Sequence, residues 1–491
     1  MLSKSRFTSG MQCLKRLYLE SYSPGLGTPS GPGLEALFSS GTAAGILAQQ
    51  LYPAGILVAE DYMHHGEATS RTRELLRDPT VSSLYEAAFT EDDIRIRADI
   101  LARGSGETWH LVEVKSSTSV HDQYIDDVAV QLHVLEHAGV PVDRVSVAYI
   151  NRDYVYTGGA HAVDELFIVE DVTDLARERL AGVPARLEEM RAALSAGVEP
   201  AIDIGSHCSR PYACQFTAYC RRNEPEWPLD ELPGISAKRV DALRGAGYRS
   251  LATIPGSVPL NMIQQRVRDT VQSQQPWVAD DLGEALSALA YPVHFIDFET
   301  VNTWLPRWVG TRPYQTFPFQ WSDHVLHRDG ALDHAEFLAD GPGDPRRAFA
   351  GSLIEQLQGA GTLVVYSSYE RSQLTALRDE LRELESALER VLAVPQFDLL
   401  QVVRAGYYHP GFRGSFSLKS VLPVMVPALA YTDLAIQHGV VAALRFQQLW
   451  RSDLDAATRA EIRTELLAYC ERDTLAMVRI VEALRGIAGG G

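Results

Sequence analysis

The chain has 491 residues, 46% of them hydrophobic, which predicts two or three domains with packed cores. A formal net charge of −18 excludes a protein that coats nucleic acid by bulk attraction, and leaves room for an enzyme that needs only a local basic track. The sequence has no run of roughly eighteen apolar residues to span a membrane, and MLSKSRFTSG lacks the apolar segment of a secretory signal, so the expected address is the cytoplasm, with no membrane partner.

The first informative element is residues 93–118, DIRIRADILARGSGETWHLVEVKSST. Two β-rich runs flank a GSGE turn signal, which predicts a hairpin. Side chains alternate along a strand, so Trp109, Leu111, Glu113 and Lys115 share one face and Val112 and Val114 take the other. Asp99 on the first run can then meet Glu113 and Lys115 on the second. This set suits phosphodiester hydrolysis. Two carboxylates hold Mg2+ or Mn2+, the metal lowers the pKa of a bound water, and the lysine positions that water and offsets charge on the phosphorane. A surface hairpin with a Glu–Lys pair is the alternative. Downstream stands DDVAVQ, ending in Gln131.

Five cysteines follow a pattern: Cys208, Cys214 and Cys220 are evenly spaced in HCSRPYACQFTAYC, Cys13 lies far upstream, and Cys470 sits within a helical stretch apart from them. In a cytoplasmic chain such spacing suggests a metal site rather than disulfides. Buried free thiols and a zinc site are the alternatives. Next comes LPGISAKRVDALRGAG, a turn and short amphipathic helix carrying Lys238, Arg239 and Arg244, with Arg249 just beyond. It reads either as a phosphate-binding helix N-terminus or as a small helical linker.

In the second half, PVHFIDFET predicts a strand with Phe295, Asp297 and Glu299 on one face and Ile296 and Phe298 on the other. Two like charges on a core-bound strand are costly unless a cation sits between them. Further acids follow in order: Glu370 after the TLVVY strand signal, Asp398 in VPQFDLLQVV, and Asp473 in ELLAYCERDTL. Tyr469 and Asp473 are four apart on a predicted helix and so share a face. Asp398 reads as a capping or core residue rather than a ligand. The aromatic stretch TWLPRWVGTRPYQTFPFQW fits either base stacking by Trp304, Trp308, Tyr314 and Phe317, with Arg307 and Arg312 on phosphates, or a loop packed over a sheet.

These motifs resemble known nuclease families. Asp99 with Glu113-x-Lys115 is similar to the core of the PD-(D/E)XK nucleases, and Gln131 stands where the RecB-type members carry a glutamine. That resemblance implies Asp99 and Glu113 as metal ligands and Lys115 and Gln131 as catalytic residues. The chain departs from the pattern at Leu135, where those nucleases have tyrosine, and at Gln49, where an upstream histidine is usual. Cys13 with Cys208, Cys214 and Cys220 resembles the iron–sulfur RecB-family nucleases, which implies a 4Fe-4S cluster joining distant parts of the chain; the usual Cys-Pro is Cys13-Leu14 here. LPGI resembles half of a helix-hairpin-helix. The ordered acids of the second half resemble the tyrosine subtype of DEDD exonucleases. That implies Asp297, Glu299 and Asp473 as ligands of Mg2+ or Mn2+, Glu370 as the fourth acid, Tyr469 orienting the attacking water, and 3′-to-5′ polarity. The usual Asn-x-x-(Phe/Tyr)-Asp reads Tyr366 through Glu370, and GSFSLKSVLP supplies the Ser-Leu-Lys, ending in Lys419, that often follows the third acid. End to end, the chain resembles bacterial proteins catalogued as a domain of unknown function.

The expected architecture is α/β in three parts. Residues 1–225 would form a restriction-endonuclease-like domain with an iron–sulfur cluster, 226–288 a helical joint, and 289–491 a ribonuclease-H-like exonuclease domain. The expected function is a nuclease acting on DNA with single-stranded ends, in repair, recombination or defence, with a helicase as a candidate partner. The alternatives are RNA processing and an iron–sulfur nucleic-acid-binding module with inactive sites.

Overall fold

The structure, a computed structural model, describes residues 1–489. It is a mixed α/β chain that divides into two compact units, Met1–Asn223 with Thr303–Gln315, and Glu224–Asn302 with Thr316–Gly491. Residues 226–288, expected as a separate joint, fall within the second unit, and the aromatic segment 303–315 falls within the first. Among the described residues, no helix is long and apolar enough to cross a membrane.

The first unit is built on a seven-stranded sheet. Strands Ser83–Glu91, Ile94–Arg103 and Trp109–Lys115 run antiparallel in succession; Val142–Ile150 then adds in parallel and Phe167–Asp171 antiparallel. The first of these turns carries Asp92 and Asp93, both at positive φ, the backbone a two-residue hairpin turn of matching twist requires. The expected 94–115 hairpin forms, with Arg103 opposite Trp109 and Ile100 opposite Val112. The two sheet faces bury separate clusters. Trp109, Leu111 and Val147 pack with helix Asp122–His137 on one side, and Val112, Val114, Ala148 and Ile150 pack on the other.

The alternation breaks at one place. Ala98 belongs to the first cluster and Ile100 to the second, although they are two apart on one strand. On the partner strand Ala87 and Tyr85 divide in the same way. Between them Glu86 takes a positive φ of 56°, which is uncommon for a residue with a Cβ. Asp99 lies at the corresponding break on its own strand.

The second unit carries a five-stranded sheet in the order Leu332–Leu338, Phe317–Leu326, Val293–Val301, Thr362–Val365, Gln396–Asp398. The first three strands are antiparallel and the last two join in parallel. Ile296, Phe298 and Trp321 bury one face against helices Arg346–Gln356, Tyr369–Glu380 and Glu385–Leu392. The other face meets the long helix Ala456–Gly489, where Gln320 Nε2 donates to the Leu466 carbonyl at 2.8 Å. Residues 224–292 add helix Ala237–Gly245, capped by the Ser236 hydroxyl, and helix Met262–Ser273, which opens with a capping box of Asn261 and Gln264. Trp277 and Val278 pair with Tyr408 and Tyr407, which ties this stretch into the second unit.

Candidate functional site

In the first unit the ladder between the 94–103 and 109–115 strands ends at Ile100 and Val112. Beyond it Asp99 Oδ2 accepts the Val114 N–H at 2.8 Å, replacing the missing strand carbonyl. This brings Asp99 beside Glu113, which is buried. Glu113 Oε1 accepts from Lys115 Nζ at 2.7 Å and from Lys4 Nζ at 2.8 Å, and its Oε2 accepts from Gln131 Nε2 at 2.7 Å. Lys115 Nζ also donates to Asp127 Oδ2 at 2.5 Å. Glu113, Lys115 and Gln131 are therefore joined by hydrogen bonds, and Asp99 adjoins them through the Val114 N–H and its charge.

The electrostatics divide the acids. Burial, reinforced by the Glu113 charge, pushes Asp99 up to about 7. Burial also works against the Glu113 carboxylate, but the Lys115 and Lys4 ammoniums outweigh it and hold Glu113 below the ordinary range. Burial would lower Lys115; Asp127, Glu113 and Asp99 overcome it and keep the ammonium charged. Lys4 and Asp127 are the members that sequence reasoning missed. Asp127 was within reach of it, because it lies four residues before Gln131 on the same helix face. Lys4 lies 109 residues from Glu113, and no local pattern marks it. Gln49, at the place of the usual histidine, lies just past helix Pro32–Ala48, and its carbonyl accepts from the Tyr85 hydroxyl. Glu86 stands nearer the acids, and its charge contributes to raising Asp99.

The four expected cysteines line one cavity together with Lys15, Arg16 and His207. Cys13 joins helices Lys4–Gln12 and Leu14–Tyr22. Gln12 Nε2 fastens this corner to the cysteine loop, donating to the His207 carbonyl at 2.6 Å and the Tyr212 carbonyl at 2.7 Å. Burial pushes the Cys214 and Cys220 thiols up, opposed by Arg16 at Cys214 and Lys15 at Cys220. Two other side-chain groups, neither containing these cysteines, place three ligand atoms within 4.8 Å of one another among the described residues.

One of those groups is Asp297, Glu299 and Asp473. Asp297 and Glu299 extend from the 293–301 strand toward the long helix, which supplies Tyr469, Cys470 and Asp473. All three acids are raised. Asp297 lies well above the carboxylate range because burial and the Asp473, Glu299 and Glu370 charges disfavour ionisation. Burial and Asp473 push Glu299 up to about 8. Asp473 rises by burial to about 6, held back by the Tyr431 hydroxyl, which donates to its Oδ1. Glu370 opens helix Tyr369–Glu380, outside the 4.8 Å group. It is buried, its Oε2 has no hydrogen-bond partner, and burial pushes it up to about 7.

Tyr469 shares the helix face of Asp473, and its hydroxyl accepts from Lys419 Nζ at 3.0 Å. Lys419 belongs to the SLK triplet after Asp398 and is the ammonium facing this group; burial lowers it against the pull of Asp473, Glu299 and Asp297. The sequence offered that signal for Lys419 and none for Tyr431. Cys470, set apart from the other cysteines, is buried with its Sγ 3.8 Å from Asp297 Oδ2. Asp398 caps helix Leu399–Gly406, accepting from the Gln401 N–H at 3.1 Å. The aromatic segment packs: Trp304, Leu305 and Tyr314 lie against the cluster of Val112 and Ile150, and the Tyr314 hydroxyl donates to the Ser116 carbonyl. Two of the basic groups near LPGI are engaged within the unit, Arg239 on the Pro259 carbonyl and Arg244 on Glu224.

The family model for "Domain of unknown function (DUF2779)" matches residues 294–417, which include Asp297, Glu299 and Glu370 and exclude Tyr469 and Asp473. No curated protein matches the chain. Among solved structures, the crystal structure of SSO0001 is similar at 14% identity over 45% of this chain and 84% of that one, with a TM-score of 0.22.

Proposed function

We propose that the protein is a metal-dependent nuclease with two phosphodiesterase sites. The observation that carries the reading is the group of half-buried Asp297 with buried Glu299 and Asp473, whose ligand atoms lie within 4.8 Å of one another. Mutual repulsion and burial make such a group expensive, and a divalent cation removes both costs. Hard oxygen donors of this kind suit Mg2+ or Mn2+. When bound, the ion supplies charge for the attacking and leaving oxygens of an in-line displacement. Tyr469, held by Lys419, would orient the water, and Glu370, with an unpartnered buried oxygen, would take its proton.

The sheet order, a three-stranded antiparallel meander followed by two parallel strands, supports a ribonuclease-H-like reading of the second unit. The splayed hairpin carrying Asp99, Glu113 and Lys115 supports a restriction-endonuclease-like reading of the first. There Asp99 and Glu113 would hold the metal, with Lys115 on the nucleophile and Gln131 fixing Glu113. Four thiols around one cavity, with Lys15 and Arg16 beside them, suit the negative charge of a 4Fe-4S cluster, whose ligands stand farther apart than those of a single ion. DNA with single-stranded ends is the proposed substrate, with 3′-to-5′ polarity at the second site.

A second reading has a specific observation behind it. Lys4 and Lys115 both donate to Glu113 Oε1, so the first site balances its own charge, which favours a nucleic-acid-binding first unit without cleavage. One experiment separates the readings: degradation of end-labelled single- and double-stranded DNA and RNA in Mn2+ by anaerobically purified wild type, Lys115→Ala and Asp297→Ala. Distinct losses in the two variants support two working sites. Loss only in Asp297→Ala leaves the binding reading for the first unit. Tight binding without cleavage by wild type overturns the nuclease proposal.

A further inference from the structure

A second cluster lies on the helix-facing side of the same sheet, on the strand beside the one that carries Asp297 and Glu299 and on the strand beyond it. His324 and His334 are directly paired across the 317–326 and 332–338 strands, with ring centroids 4.5 Å apart. Glu471 reaches them from the long helix, and one ligand atom from each of the three lies within 4.8 Å of the others. Each histidine has one ring nitrogen anchored on a buried hydroxyl. His324 Nδ1 is 2.8 Å from Thr474 Oγ1, and His334 Nε2 is 2.9 Å from Ser322 Oγ. The two hydroxyls are themselves 2.9 Å apart and fully buried.

We propose that His324, His334 and Glu471 form a zinc site that clasps the strand hairpin to the long helix. The donor set of two imidazoles and one carboxylate matches that ion better than Mg2+ or Ca2+, which prefer all-oxygen shells. The hydroxyl pair does what supporting groups do for metal-bound histidines: it fixes ring orientation and tautomer, leaving the second nitrogen to the metal. Burial, with the His334 and Arg479 charges, pushes His324 down to about 4, so its ring is neutral near pH 7. Glu336 stands opposite Ser322 on the same face; it or a water would complete four-coordination. Glu471 and Thr474 bracket Asp473 on the helix, so the clasp would set the helix position at the acid group. The site is independent of the nuclease reading, since none of its residues belongs to the proposed catalytic set.

The test is zinc content and zinc-dependent melting of chelator-treated full-length protein titrated with ZnCl2. Wild type, His334→Ala and Glu471→Gln are compared, with Cys208→Ser and Asp297→Asn reporting zinc held elsewhere. The expected result is about one zinc per chain and a rise in Tm that persist in Cys208→Ser and Asp297→Asn. In His334→Ala and Glu471→Gln both disappear, and Ser322→Ala weakens zinc binding roughly 10- to 100-fold. His334 and Glu471 are both exposed, so both variants are expected to fold, and far-ultraviolet circular dichroism checks that they do. Zinc content and Tm response in Glu471→Gln equal to wild type, or losses that appear only in Cys208→Ser or Asp297→Asn, overturn the proposal.

Discussion

Lys4 donates to Glu113 Oε1 at 2.8 Å, a bond between a helix near the chain's start and a strand 109 residues later. Lys115 donates to the same oxygen. If the first site works as proposed, the two lysines have opposite roles: Lys115 serves the nucleophile, while Lys4 competes with the metal for Glu113. Lys4→Ala is expected to lower the Mn2+ concentration needed for cleavage, and to cost about 1–3 kcal/mol of stability through loss of a charge-assisted bond. Lys115→Ala is expected to abolish first-site cleavage, read in an Asp297→Ala background, at any Mn2+ concentration. Mn2+ titration of both variants checks this, and equal loss in both would show Lys4 to be part of the catalytic set.

The acid group of the second unit predicts a pH dependence. Glu299 lies at about 8, Glu370 at about 7 and Asp473 at about 6, chiefly because burial disfavours their charges. In the unfolded chain these groups titrate near about 4. The folded state therefore holds protons that the unfolded chain has released, so the contribution of these three groups to stability is full below about pH 4 and is lost as pH rises to about 8. Melting curves without divalent ions are expected to show Tm falling across that window, with Mn2+ restoring it at the upper end. Asp297→Asn should reduce both the slope and the Mn2+ effect. A Tm that rises with pH across the window contradicts the assignment.

Asp398 tests the line between ligand and cap. Its carboxylate accepts the Gln401 N–H at the start of a helix. Asp398→Ala is expected to cost about 1 kcal/mol in chemical denaturation and to leave Mn2+-dependent hydrolysis unchanged. Hydrolysis lost with stability retained would place Asp398 among the ligands.

Tyr314 separates packing from base stacking. Its ring lies against the first unit's core and its hydroxyl donates to Ser116. Tyr314→Phe is expected to lose about 1 kcal/mol of stability with affinity for single-stranded DNA unchanged. A drop in affinity at unchanged stability would assign the segment to nucleic acid.

The iron–sulfur reading has a direct optical check. Anaerobically purified wild type should carry iron and sulfide and absorb in the visible region, and Cys13→Ser or Cys220→Ser should lose both. Zinc in place of iron in the wild type would replace the cluster with a mononuclear site.

How much was legible in the sequence follows the range of the interactions. The alternation in PVHFIDFET placed Asp297 and Glu299 on one face because strand geometry is local, and the four-residue spacing of Tyr469 and Asp473 worked for the same reason on a helix. The network of Asp99, Glu113, Lys115 and Gln131 was readable as a motif, but its geometry was not: simple alternation could not foresee the break at Glu86 and Asp99. Lys4 and Tyr431 escaped because each reaches its acid only through the tertiary fold. The aromatic segment left two readings open, and packing against Val112 and Ile150, distant in sequence, is what distinguishes them.

The most direct test of the central claim is Mn2+ binding to wild type and Asp473→Asn at about pH 8, followed by electron paramagnetic resonance of the free ion. If Asp297, Glu299 and Asp473 hold a divalent cation, the variant loses affinity roughly tenfold or more while its far-ultraviolet circular dichroism is unchanged. Superimposable titrations of the two proteins would contradict the account.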